Sequence, residues 1–268
     1  MPLTQSAALR LPLTGTLKDL LLRGLLAGLI AGLLAGGVAF VLGEPRVDAA
    51  IAIEEAAAAA EAHEHATEAP AGHTHGDEAE DPLVSRDGQK GGLFLATALA
   101  GLALGAIFAA AANYAGRFSS LSGPTLAITL ATAGWLAIEA VPFFKYPANP
   151  PAVGDPDTIN KRTLLWLAAV VLGLVAVGVA AYVSKVVREQ QFTVKLIAPL
   201  AAFLAIVILG YVLMPGINEV GADFPATLLW QFRLSSLATQ ATLWISLGLA
   251  FAFLTERASR QSAEESSA

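Results

Sequence analysis

The chain has 268 residues, of which 55% are hydrophobic and 14% are charged, and its formal net charge at pH 7 is −6. Soluble domains carry about 25% charged residues, so this composition is typical of a membrane protein. The negative charge without a basic run excludes a nucleic-acid-binding protein, and the absence of cysteine excludes disulfides, thiolate metal sites and iron–sulfur clusters. The sequence has no phosphate-binding loop, which excludes an ATPase within the chain.

Six apolar blocks follow one another along the chain, each near or above the roughly eighteen residues that cross a hydrocarbon core as a helix. The blocks cover residues 20–42, 92–112, 121–144, 163–183, 197–214 and 234–254. They predict an all-α polytopic membrane protein with about six transmembrane helices in one bundle, over residues 20–256. Three segments remain: an N-terminal segment at 1–19, a His- and acid-rich loop at 43–90 after helix 1, and a polar tail at 257–268.

The lysines and arginines outside the blocks indicate the orientation. With the N-terminus in the cytoplasm, nine of them lie inside and seven outside, so the positive-inside rule favours a cytoplasmic location for both termini. The long loops at 43–90, 145–162 and 215–233 then all face outward. These loops and their flanks hold 16 of the 22 acidic residues, which predicts an anionic outer face that concentrates cations.

Four glycines lie four residues apart in the first block, and this spacing puts them on one helix face. They are Gly24, Gly28, Gly32 and Gly36. Such a face lets another helix backbone approach closely, and Gly101 and Gly105 repeat the spacing in the second block. The favoured interpretation is tight packing within one bundle, and the alternative is a docking seam for a further protein chain.

The third block contains the only acid deep in an apolar stretch, in the sequence WLAIEAVPFFKYP. An ionisable group at this depth indicates a functional site by default, so Glu139 is interpreted as an oxygen ligand or a proton carrier on a cation path. A salt bridge with Lys145 is the structural alternative. Pro142 cannot donate a backbone hydrogen bond, and this would expose a carbonyl beside the carboxylate.

The last block begins after Arg233 and carries a polar stripe that includes Ser236, Thr239 and Gln240. Positions three and four apart share a helix face, so the stripe lines either a hydrated path or a hydrogen-bonded helix contact. Gln240 is therefore a further candidate for the transport path.

All four histidines lie in one short stretch, HEHATEAPAGHTH, as His63, His65, His73 and His75. In an extended chain each pair at i and i+2 shares a face, whereas a continuing helix would bring Glu61 and His65 together at i and i+4. Imidazoles flanked by Glu61 and Glu64 suit a divalent ion such as Co²⁺, Ni²⁺, Zn²⁺ or Cu²⁺. The stretch predicts weak metal capture, and the alternative is a polar tract whose histidines are incidental.

The two later outer loops carry acids beside prolines. Asp155, Pro156 and Asp157 have the order of a helix start, with Asp155 as the N-cap, and Asp223 precedes the last helix in the same way. Glu219 supplies a further carboxylate. Helix capping and metal coordination remain open for these acids, which are also candidates for the transport path.

Four sequence blocks occur in order and resemble the CbtA family of predicted cobalt transporter subunits. They are LLLRGLLAGLIAGLLAG, GEPRVDAAIAIEEAAAAAEAHEH, PFFKYPANPPAVGDPDTINKRT and ADFPATLLWQFRLSSLATQATLW, and the resemblance runs over residues 20–256. It implies a multi-pass component of a cobalt permease in the bacterial inner membrane that serves cobalamin biosynthesis. It also implies a small single-span partner, CbtB. The family is often described with five spans, whereas six are counted here.

The leading functional hypothesis is therefore cobalt uptake. The outer histidine loop would collect Co²⁺, with Ni²⁺ or Zn²⁺ as possible substitutes and no organic cofactor, and the spans would pass it inward. The alternative is a membrane metal sensor or scaffold that binds metal without flux. An enzyme is the weakest hypothesis. The sequence has no recognisable nucleophile–base pair, and the imidazoles lie in a loop of too low complexity for a preorganised site.

Overall fold

The computed structural model describes Leu13 and residues 15–68 and 84–265, and of residues 61–68 and 265 it describes the helical backbone alone. The α-helices in this part of the chain are α1 (Leu17–Val38), α2 (Glu44–Glu68), α3 (Arg86–Gly116), α4 (Gly123–Gly134), α5 (Val141–Lys145), α6 (Ile159–Val186), α7 (Phe192–Leu213) and α8 (Ala226–Glu265). Two π-helical segments, Ala39–Gly43 and Trp135–Ala140, join α1 to α2 and α4 to α5. A short 3₁₀ turn, Pro156–Thr158, leads into α6.

Six helical stretches of the described chain are long and apolar enough to cross a membrane. They are Leu17–Ala60, Arg86–Gly116, Gly123–Lys145, Pro156–Val186, Phe192–Leu213 and Ala226–Glu264. The predicted all-α architecture with six apolar helices is thus confirmed, and the chain is a multi-pass membrane protein. Each stretch contains or largely covers one of the six apolar blocks, because a lipid-exposed backbone must satisfy its hydrogen bonds within the helix.

The first helix continues far beyond its apolar block. The Ala- and Glu-rich sequence RVDAAIAIEEAAAAAEA after Glu44 and Pro45 predicts a separate helix with the proline in its first turn. In the structure α1, the first π-helical segment and α2 form one unbroken helix. Because proline lacks an N–H and its ring clashes with the preceding turn, the wider π-helical turn directly before Pro45 accommodates it. At about 1.5 Å per residue, residues 17–68 extend roughly 78 Å, more than twice the ~30 Å hydrocarbon core.

The first two spans, α1 and α3, cross at backbone contact. A Cβ built on Gly28 would lie 2.1 Å from the carbonyl oxygen of Gly101, and one on Gly105 would lie 2.1 Å from the carbonyl oxygen of Gly24. Gly32 similarly faces the carbonyl oxygen of Thr97, 2.2 Å from its Cβ position. Along the contact the residue numbers rise in α1 as they fall in α3, so the helices are antiparallel. The glycine face of the first span therefore lies against α3 of the same chain.

A common apolar core joins α1, α3, α4 and α8. Its buried members are Leu20, Ala27, Ala31, Phe108, Ala109, Ala112, Ala127, Ala131, Trp244, Leu247, Phe251 and Ala252. The rings of Phe108 and Phe251 meet edge to face with their centroids 5.3 Å apart. Small residues dominate the α1, α3 and α4 surfaces, so the large side chains of α8 fill the space between them.

A second group consists of α6 and α7, which pack beside the second π-helical segment and α5. Gly173 of α6 touches the Ala137 carbonyl, since a Cβ there would lie 2.2 Å from that oxygen. Tyr211 of α7 donates its hydroxyl to the Val141 carbonyl, and the Lys145 ammonium donates to the Tyr211 carbonyl at 2.9 Å. Most of the large apolar side chains of α7 remain exposed, as expected for a helix surrounded by lipid.

The described parts of the connections between spans one and two, three and four, and five and six lie at the same end of the bundle. Ser235 at the start of the last span donates its hydroxyl to the Leu42 carbonyl at 2.9 Å, and Tyr146 donates to the Pro215 carbonyl at 2.7 Å. At this end Arg86 also pairs with Glu44 and Asp48 and thereby ties α2 to the start of α3. We call this end the loop face.

Candidate functional site

The intramembrane acid Glu139 lies in the second π-helical segment, three residues before Pro142. Within this segment the Val141 N–H bonds to the Leu136 carbonyl, five residues back instead of four. Pro142 has no N–H and its ring would clash with the carbonyl four residues before it, so one widened turn relieves the conflict. Single π-helical turns are frequent at functional sites. The backbone irregularity expected from Pro142 thus coincides with the acid.

Glu139 is half-buried and forms no ion pair within the described chain. The expected alternative partner, Lys145, donates instead to the backbone of Tyr211. The indole of Trp244 lies beside the Glu139 carboxyl group, but its Nε1–H falls outside hydrogen-bonding geometry and has no partner among the described residues. A carboxyl group without a fixed cation remains available to a mobile ion or proton.

An apolar cavity of about 310 Å³ opens between α4 and α8, and the Trp244 that lies beside Glu139 is one of its lining residues. Trp135 and Trp244 line it together with small and aliphatic side chains. Trp244 rests directly on the backbone of Gly134, whose Cβ position lies 2.2 Å from the ring. Gln240 lies one turn before Trp244, so the two share a face of α8. Glu139 and Gln240 therefore belong to two neighbouring segments, and Trp244 lies beside the acid and one helical turn after Gln240.

The hydroxyl groups of the α8 stripe mostly bond within their own helix. Thr239 donates to the Ser235 carbonyl at 2.9 Å, and Thr242 donates to the Ala238 carbonyl at 2.8 Å. Each bond spans four residues, the pattern by which Ser and Thr satisfy themselves in membrane helices. Among these hydroxyls, that of Ser235 also reaches another described segment, at the Leu42 carbonyl. The hydroxyls of Thr239 and Thr242 therefore do not require water, and Gln240 remains a candidate for the path.

Two of the candidate acids of the loop face, Asp155 and Glu219, have structural partners. Asp155 is the N-cap of the 3₁₀ turn, and its Oδ1 accepts the Asp157 N–H at 2.9 Å. Glu219 accepts the Asp155 N–H at 3.3 Å and pairs with Arg162 at 3.3 Å. The structure thus brings Asp155 and Glu219 together through a backbone hydrogen bond, while the Asp155 side chain caps the 3₁₀ turn and Glu219 pairs with Arg162. The side chains of Asp157 and Asp223 are exposed.

A second cavity, of about 360 Å³, lies on the loop face between the connections 146–158 and 214–225. Its polar lining includes Arg162, Arg233, Glu219, Asn149 and the Tyr146 phenol. Arg233 donates to the Asn149 side-chain oxygen at 2.9 Å and to the Ala148 carbonyl at 3.3 Å. Burial raises the pKa of the Tyr146 phenol, which stays protonated and donates to Pro215. Sequence reasoning missed both arginines as site residues, because it read loop cations only as markers of orientation.

The histidine stretch is only partly described. The backbone is helical through Glu68, so the positions of Glu61 and His65 lie one turn apart on one face, whereas those of His63 and His65 lie about 200° apart. Glu64 belongs to the same helical backbone, and His73 and His75 lie outside the described residues. Among the side chains that the structure describes, no three His, Asp or Glu groups cluster as a metal site.

A family model described as "Probable cobalt transporter subunit (CbtA)" matches residues 17–256 of the chain. The matched range begins with the first residue of α1 and ends within α8, so it includes Glu139, Gln240 and the loop face. Comparisons with curated proteins and with solved structures gave no significant match.

Proposed function

Because the chain belongs to the family of probable cobalt transporter subunits (CbtA), we propose that it moves Co²⁺ inward across the bacterial inner membrane. Family membership implies a non-enzymatic role. The observation that best supports a path through this chain is Glu139, an acid at membrane depth, in a π-helical turn, without an ion-pair partner among the described residues. On this proposal the carboxylate is an oxygen ligand to the passing cation, and Gln240 is a neutral oxygen one segment away.

The proposed driving force is the membrane potential. A divalent cation that moves inward through 100 mV gains roughly 4.6 kcal/mol, which supports strong accumulation without a motor in the chain. The family name describes one component of a larger transporter, and the proposed partner is the small single-span protein CbtB. Ni²⁺ and Zn²⁺ are further candidate cargoes, because imidazole and carboxylate ligands accept all three ions.

The histidine stretch is proposed to collect the ion before entry. The helix that carries Glu61, Glu64 and His65 continues from the first span far beyond the hydrocarbon core, so it would hold these groups away from the lipid. His63, His73 and His75 would complete a weak, exchangeable set of ligands. Weak binding suits collection, because the ion must leave again for the path.

Replacement of all four histidines by alanine should raise the cobalt concentration needed for half-maximal uptake by about tenfold, with little change in the maximal rate. The reason is that collection increases the local ion concentration but does not alter the path. Uptake of radiolabelled cobalt would be measured in cells without their own importers that express this chain and CbtB. The matched control replaces four exposed residues of the C-terminal tail. An unchanged cobalt concentration for half-maximal uptake would show that the histidines do not collect the ion.

The proposed orientation places the loop face outside and both termini in the cytoplasm. A cysteine at Gly216 should therefore react with an impermeant thiol reagent in intact cells, and one at Gln190 should react only after the membrane is opened. Both positions are exposed in the structure, and the wild-type chain has no cysteine to add background. The opposite labelling pattern would invert the orientation.

A metal sensor or scaffold is the second candidate function. It is favoured by the long continuous helix, which would present metal-binding groups well clear of the membrane. This function requires metal binding without flux, so cobalt that binds to the chain but never accumulates inside would support it.

A further inference from the structure

The loop-face cavity has an unbalanced charge. Its charged lining residues are Arg162, Arg233 and Glu219, and Glu219 already pairs with Arg162. Arg233 has only neutral acceptors within the described chain, the Asn149 side chain and the Ala148 carbonyl. The lining therefore has one positive charge in excess, in a half-enclosed space where charge is costly to leave unpaired.

The two arginines also have donors to spare. The Arg162 Nε–H is buried and has no acceptor among the described residues, although one of its terminal nitrogens pairs with Glu219. Arg233 uses its Nε and one terminal nitrogen, so its other terminal nitrogen makes no hydrogen bond in this part of the chain. Guanidinium groups bind carboxylate and phosphate oxygens in a planar, two-pronged geometry.

The remaining lining fits a small organic anion. Trp166, Ile159 and Ile217 form apolar walls, and Asn218 adds an amide beside Glu219. The volume of about 360 Å³ is at the lower end of the range for small-molecule sites, which are mostly apolar with a few fixed polar groups. A bare divalent cation would meet net repulsion here, so this cavity differs in chemistry from the path around Glu139.

We propose that the loop-face cavity binds an oxyanion, a carboxylate or a phosphate group, between Arg233 and Arg162. The oxyanion belongs either to a small free molecule such as a tricarboxylate or to the headgroup of an anionic lipid. The site is independent of cobalt transport, because oxyanion binding depends only on the charge, donors and volume of the cavity.

The test is calorimetric titration of the purified full-length chain, in a neutral detergent, with citrate and with inorganic phosphate. At least one of them should bind saturably at one site. Arg233→Gln should weaken this binding about tenfold to a hundredfold, the range for loss of a charge-assisted hydrogen-bonded pair. Arg188→Gln is the matched control, because Arg188 is well exposed in the 187–191 connection and pairs only with its neighbour Glu189 among the described residues.

A second arm distinguishes the two sources of the oxyanion. The chain is placed in bilayer discs of phosphatidylcholine with or without phosphatidylglycerol, and its unfolding temperature is measured. A lipid headgroup in the site predicts stabilisation by phosphatidylglycerol that Arg233→Gln removes, and a free ligand predicts stabilisation by citrate or phosphate alone. Should Arg233→Gln fail to fold, Arg162→Gln must show the same loss. The proposal would be overturned if neither variant weakened binding. It would also be overturned if citrate, phosphate and phosphatidylglycerol all had no effect.

Discussion

Gly28→Ala should prevent α1 from closing on α3, whereas Gly37→Ala should leave the fold intact. The new methyl carbon would lie 2.1 Å from the Gly101 carbonyl oxygen and 2.9 Å from the Gly105 Cα. Both are backbone atoms, so no side chain can rotate to make room and the helices must separate. The contact is reciprocal, because a Cβ on Gly101 would lie 2.2 Å from the Gly28 carbonyl oxygen.

Gly28→Ala should lower the free energy of unfolding by at least the ~1–3 kcal/mol typical of overpacking, because the atoms in the way belong to rigid backbone. It would be measured as a lower unfolding temperature in detergent and as loss of the monodisperse peak on gel filtration. Gly37 is the matched control, because nothing lies within 4 Å of its Cβ position and alanine gains the same roughly 1 kcal/mol of helix propensity there. Equal stability of the two variants would contradict the close crossing.

Glu139→Gln should reduce cobalt uptake at least tenfold and leave the protein folded. Glutamine keeps the size and a carbonyl oxygen but removes the charge that the proposed path needs for a divalent ion. It should not destabilise the fold, because no fixed cation among the described residues loses its partner and a charge at this depth is itself unfavourable. Uptake and unfolding temperature would be measured on the same preparations.

Glu189→Gln is the matched control for this change. Glu189 is exposed in the 187–191 connection, where its only ion pair among the described residues is with the neighbouring Arg188. Its replacement should change neither uptake nor stability. Full uptake by a well-expressed Glu139→Gln protein would remove this acid from the path.

The sequence predicts the spans well, because a helix in lipid needs a long apolar stretch and such stretches can be recognised from composition alone. Local rules also predict the Asp155 cap, since an acid followed by proline has a strong helix-start geometry. The helix expected from Glu44 and Pro45 is present, but it continues the first span instead of starting separately. A proline normally ends a helix, but here the preceding π-helical segment allows the helix to continue. No local sequence pattern predicts that segment.

The candidate sites are less predictable because they depend on long-range contacts. Glu219, in the connection before α8, pairs with Arg162 in the first turn of α6. Asn149, in the connection before α6, accepts from Arg233 of α8, and in both cases two spans separate the partners along the chain. The sequence indicated Glu219 only as a candidate metal ligand, because its pairing with Arg162 cannot be predicted from local patterns. The depth of Glu139 was readable from its apolar neighbours, but the diversion of Lys145 to Tyr211 was not.

Cobalt flux into proteoliposomes that contain the purified chain and CbtB decides whether this chain forms a cobalt path. With an inside-negative potassium diffusion potential, the account predicts that radiolabelled cobalt accumulates inside and that dissipating the potential stops it. Liposomes with Glu139→Gln should hold only surface-bound cobalt. Cobalt that binds to wild-type liposomes in a fixed ratio to protein, without accumulating under any potential, would contradict the account and identify the chain as a sensor or scaffold.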